Sequence, residues 1–253
     1  MTISLHQGSV TAVALLAGLM LLPGCKQPVK QNAANELAAI GNAVNALDAP
    51  ANAAAATPPD PQVQAAARVL PAIAGYVPAQ LAPLPDGRLA LIGTIEKEGA
   101  AHVETGWLAV HYLDHAGGAY KLVGSWPQTA AGNGFGAGPS TWRVTGRLAD
   151  NPTVESEAGY GNQGSFCTWI NLTELTPDGP TTSEAVLSGY DDSGAQEGRG
   201  QATTLTGIIT NIVKNQSFDM TFNGTRRFTD HYVRRGGKWV VQGGHSGLEQ
   251  CRG

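Results

Sequence analysis

The residues with most chemical potential lie near the C-terminus. Gly244-His245-Ser246-Gly247-Leu248 begins like a hydrolase nucleophile turn, which needs Gly-x-Ser-x-Gly between a strand and a helix. Its second glycine comes one place early and five residues follow, too few for that helix. The stretch therefore reads as a polar C-terminal turn. His231, Asp230 and Glu249 are the groups available to an alternative hydrolase site assembled from residues distant in sequence. His111 and His115, four apart on one expected strand, stand about 13 Å from each other. That is too far for a shared tetrahedral metal, whose ligands lie about 2.0 to 2.1 Å away. Asp191-Asp192-Ser193-Gly194 gathers oxygen ligands but lacks the distal glutamate of a calcium loop, so it reads as a solvated acidic turn. Gly132, Gly134 and Ala137 have a loose dinucleotide-binding spacing, yet Pro139 and a strand follow where a helix is required. Residues 131–140 are expected to be a mobile loop, with Phe135 either tucked onto the domain or held ready for a ligand, and neither a cofactor nor a metal is expected. No catalytic residue is identified.

One charged cluster is a candidate for binding. Arg226, Arg227, Arg234, Arg235 and Lys238 fall on one expected ribbon, and arginine suits bidentate capture of phosphate or carboxylate. The same charges also serve to blunt a sheet edge. Residues 226–253 hold six Lys or Arg against two acids, whereas residues 1–225 hold ten against eighteen. The whole chain carries −4, so nucleic acid is not expected as a partner. The ribbon's expected partner is an anionic envelope component or a protein.

The chain's address comes from its N-terminus. Thirteen uncharged, mostly apolar residues, Val10 to Leu22, rise about 20 Å as a helix, short of the roughly 20 residues a membrane span needs. They read as the core of a signal peptide, residues 1–24. The four residues Leu22-Pro23-Gly24-Cys25 resemble the lipobox of bacterial lipoproteins. The resemblance implies cleavage before Cys25, diacylation of its sulfur and acylation of the new amino terminus, hence a membrane partner through the lipid. In that family an Asp after the cysteine favours inner-membrane retention. Here the residue is Lys26, which implies the outer membrane, facing the periplasm. Export implies an oxidising compartment, where the two remaining thiols, Cys167 and Cys251, are expected to pair.

Composition then divides the rest. Residues 25–85 are rich in Ala and Pro and hold a single aromatic, Tyr76, while all five Trp and all five Phe follow Pro85. Aromatic side chains carry much of a core's buried area, so the expected globular domain is 86–253 and the expected tether 25–85. Leu37, Ile40, Val44 and Leu47 form one stripe on an expected helix over 32–48, which a scaffold would use to self-associate. A second short helix is expected over 62–70, stopped by Pro71. Even as flexible coil the tether spans on the order of 40 Å.

From Arg88 onward the pattern changes to period two. Phe218, Met220 and Phe222 alternate with Asp219, Thr221 and Asn223, and Gly236-Gly237 separates two strand runs as a hairpin turn. A similar pattern surrounds Gly117-Gly118. The expectation is a mainly β domain, an antiparallel sandwich or barrel of about 10–11 strands. Segment 202–214, apolar on both faces, is expected to be central. The folded part resembles the β-rich lipoproteins of proteobacterial envelopes, which gives class and address without an activity. The leading expectation is a non-enzymatic binding module.

Overall fold

The computed structural model describes residues 60–196 and 200–251; Cys25 and the expected 32–48 helix lie outside them. Two antiparallel sheets pack as a β sandwich. The smaller is a meander in chain order: β1 (Tyr76–Pro83), β2 (Leu89–Ile95), β3 (Trp107–Ala116) and β4 (Ala119–Ala131). The larger contains β5 (Thr141–Thr145), β6 (Thr153–Asn162), β7 (Ser165–Thr176), β8 (Gly179–Thr182), β9 (Val186–Asp191), β10 (Thr204–Val213), β11 (Ser217–Gly224), β12 (Phe228–Arg235) and β13 (Lys238–Val241). Its order is β13-β12-β11-β10-β9-β7-β6-β5, with β8 paired to the far end of β7.

Alternation explains the layers. Even-numbered Ala90, Ile92, Leu108, Val110 and Tyr112 of the smaller sheet are buried against Trp142, Val154 and Leu175 of the larger. Odd-numbered Leu91 and Leu113 point the other way, under Val63 and Ala66 of helix α1 (Pro61–Ala67). Asp60 caps that helix by accepting from the Gln62 N–H at 2.7 Å, and Pro61 occupies the first turn, where its missing N–H costs nothing. A third cluster joins Phe218, Met220, Phe222, Tyr232 and Trp239 to Leu172, Val186, Leu205 and Leu248. Full burial of each such side chain contributes about 1.5–3 kcal/mol.

Folded structure begins well before residue 86, so the expected tether is too long at its C-terminal end. Helix α1 and strand β1 both lie within 25–85 and both pack on the smaller sheet. Strand β1 escapes notice because it contains Pro78 and Pro83, residues tolerated only on an edge strand such as this one. Its register shifts between Pro78 and Gln80. Gly93 opposite has no side chain: a Cβ there would sit 2.3 Å from the Val77 carbonyl oxygen and 2.7 Å from the Tyr76 ring.

The two Gly-Gly hairpins form as expected. Gly117, Gly118, Gly236 and Gly237 all have positive φ, the geometry that matches strand twist. Cys167 and Cys251 are disulfide-bonded, with Cα atoms 5.7 Å apart, and tie β7 to the short 3-10 turn Glu249–Cys251. Strand β10 has neighbours on both sides, β9 and β11, but only one of its faces is covered. Leu205 is buried, whereas Ile208 is 54% exposed. The threonines alternating with its apolar residues mark the open face.

Candidate functional site: a groove on the open face of the larger sheet

The expected cationic ribbon divides into parts with different jobs. Arg235 and Lys238 face each other across the Gly236-Gly237 turn and are exposed. Arg226 and Arg227 lie beyond the other end of β12, about 26 Å away at strand rise. Arg226 stacks over the Phe228 ring at 4.9 Å and donates to the Gly247 carbonyl at 3.1 Å. Arg234 points inward. Its guanidinium pairs with Glu174, whose side chain is 5% exposed, and donates to Asn215 Oδ1 at 2.8 Å. Five cations near in sequence therefore do not form one surface, because alternate residues of a strand face opposite ways.

The C-terminal turn is closed on itself. Asp230 is buried and accepts from the Ser246 hydroxyl and from the Gly247 N–H at 2.9 Å, while Ser246 Oγ accepts from Leu248 N–H at 3.0 Å. This is the polar turn the sequence suggests. His231 does not meet Asp230. It faces the cross-strand residue Asp219, with 2.6 Å between Nδ1 and Oδ1. Asn211, at φ 47° in an irregularity of β10, donates to the other oxygen of Asp219 at 2.8 Å. Hydrogen bonds from His231 and Asn211 hold the Asp219 carboxyl below its ordinary range. Asp219 was legible only from the hairpin register, which places it opposite His231.

The other candidates also resolve into structure. His111 is fully buried and His115 stacks on Tyr120 at 4.6 Å, and among the described residues no group of three metal-ligating side chains forms. Asp192 accepts from the Thr203 N–H at 2.6 Å and Asp191 from Ser193 N–H at 2.8 Å, so the acidic turn is bound up in its own loop. The glycine-rich loop is organised by Asn133, whose amide donates to the Gly138 carbonyl and accepts from the Gly159 N–H, each at 2.8 Å. Phe135 at its tip is 66% exposed and lies 4.7 Å from the His102 ring.

The feature that sequence reading missed is a groove of about 460 Å³ crossing β6, β7, β9 and β10. Pairing puts its residues in rows. Gly159, Thr168, Gly189 and Thr206 are successive cross-strand partners, as are Gly161, Phe166, Asp191 and Thr204. Glycines at 159 and 161 on β6 let the Phe166 ring lie down on that strand, and glycine at 189 on β9 gives room to the Thr168 side chain. A Cβ on Gly159 would lie 2.6 Å from the Phe166 ring, one on Gly161 2.9 Å, and one on Gly189 2.5 Å from Thr168 Oγ1. The floor carries Thr168 Oγ1 and Ser188 Oγ, 3.1 Å apart. Glu157 lines the groove near Ile170, its strand partner, and Asp191 lines it beside Phe166. Hydrogen bonds from the Ser193 backbone and side chain keep the Asp191 carboxyl below its ordinary range, hence anionic. The sequence signal was the pair Gly159-x-Gly161 inside a strand, where glycine marks close approach by another group. Comparison with protein-family models, curated proteins and solved structures finds no match for the chain.

Proposed function

We propose that this chain is an envelope lipoprotein, anchored through lipid on Cys25 to the periplasmic face of the outer membrane, whose sandwich acts as a non-enzymatic binding module. The observation that supports a binding role is the groove across β6, β7, β9 and β10. Its volume falls in the range of ligand sites, and it mixes an aromatic ring with a few placed hydroxyls and carboxylates. The anchor reading rests on the Leu22–Cys25 motif, and the three acyl chains it implies exceed the two that give stable attachment. The groove carries carboxylates, so an anionic envelope component would instead meet Arg235 and Lys238.

The test uses full-length protein in a Gram-negative host, followed by fractionation. Wild type is expected with the outer membrane and Cys25→Ser in the soluble periplasm. The released protein should co-sediment with envelope fragments, and Thr206→Arg, which fills the groove from its exposed rim, should abolish this. Unchanged sedimentation of Thr206→Arg removes the groove as the binding site. Loss of sedimentation in Arg235→Glu/Lys238→Glu moves the site to the turn. Cys25→Ser protein that stays with the membrane removes the anchor.

A further inference from the structure

We infer that the groove takes a neutral carbohydrate chain, stacked on Phe166; this rests on the groove being the ligand site. The Phe166 ring lies against the β6 backbone where Gly159 and Gly161 leave it room, and remains 46% exposed. One ring face is thus supported while the ring stays open to solvent, a stacking platform. The apolar C–H faces of a pyranose suit such a ring, and its equatorial hydroxyls suit what surrounds it. Thr168, Thr204 and Thr206 can both donate and accept, Ser188 gives its proton to Thr168 Oγ1, and Glu157 and Asp191 accept only.

Other ligand classes fit less well. An extended peptide gains affinity by adding a strand to a free edge, but β6, β7, β9 and β10 each pair on both sides. A phosphorylated, sulfated or acidic ligand would meet two carboxylates, and no Lys or Arg lines the groove among the described residues. A purely apolar ligand would strip water from the Thr204 and Thr206 hydroxyls and from the two carboxylates without replacing their hydrogen bonds. What remains is an uncharged polyol with apolar faces. From Phe166 to Ile170 the wall runs about 13 Å, long enough for more than one sugar ring.

The experiment is calorimetric titration of the full chain, solubilised in detergent, with hexamers of β-1,4-linked glucose and of β-1,4-linked N-acetylglucosamine, and with heparin as the anionic control. At least one neutral hexamer should bind and heparin should not bind in the groove, so Thr206→Arg should abolish only the former. Phe166→Ala should weaken the neutral ligand about tenfold, and Phe166→Trp should hold it within about threefold. Because the ring is half-buried on β6, Phe166→Ala should melt somewhat below wild type yet keep its far-UV circular dichroism spectrum, which separates loss of the platform from loss of the fold. Failure of both hexamers, or equal affinity in Phe166→Ala, overturns the carbohydrate assignment. If envelope fragments still co-sediment in a Thr206-dependent way, the binding-module reading survives that failure; if they do not, both fall.

Discussion

Arg234 and Arg235 are neighbours in sequence and opposites in role. Arg234 neutralises the buried carboxylate of Glu174, which also accepts from Asn151 at 2.7 Å. Removing one partner of a buried pair strands the other charge, so Arg234→Ala should cost about 3 kcal/mol in denaturant unfolding. Arg235→Ala, on the surface, should change stability by less than about 0.5 kcal/mol. His111 supplies a second prediction at this scale. Its ring is fully buried, Nδ1 lies 2.9 Å from Ser125 Oγ, the Tyr76 ring meets it edge-on at 5.1 Å, and Nε2 has no partner among the described residues. Burial pushes its pKa down from 6.5 to about 4. Between those values the unfolded chain binds the proton and the folded one does not. Stability therefore falls as pH drops through that window, by about 3 kcal/mol in all. Unfolding of wild type and His111→Phe at a series of pH values should show this slope in the first and not in the second; parallel slopes would count against it.

At the scale of elements, the instructive pieces are α1 and β1. Both come from the stretch whose Ala and Pro content suggested a tether, and both complete the smaller sheet. Val63 and Ala66 cover Leu91 and Leu113, and β1 supplies the edge next to β2. A chain begun at Asp60 should fold cooperatively. One begun at Asp86 should aggregate or melt far lower, because it bares Leu91, Leu113 and the unpaired backbone of β2. Circular dichroism and sedimentation of the two fragments check this, and equal melting would restore the boundary at Pro85. Strand β8 is hard to read from the sequence for a related reason. Pro180 and the Pro177-Asp178-Gly179 turn disguise four residues that pair only with β7. Elements dense in alternating large residues, such as β11, were plain in the sequence. Short edge strands were not, since an edge needs little burial and tolerates proline.

At the scale of the whole molecule, one of the three buried clusters of the described residues joins the two sheets, and the C-terminal turn is fastened back to β7 by the Cys167–Cys251 bond. The sequence by itself determined the mainly β class and the Gly-Gly hairpins, and it pointed to the Cys167–Cys251 pair that the structure joins. Period-two alternation, positive-φ turns and the number of thiols are local properties, written residue by residue. The groove, the inward turn of Arg234 and the meeting of His231 with Asp219 were decided only by tertiary structure. Each depends on which strand lies beside which and in what register, and a shift of one residue would exchange the two faces of every strand involved. Gly159, Gly161 and Gly189 read singly as weak points in strands. Pairing places Gly159 and Gly161 on one side of β7 and Gly189 on the other, which is what lets Phe166 and Thr168 lie flat between them.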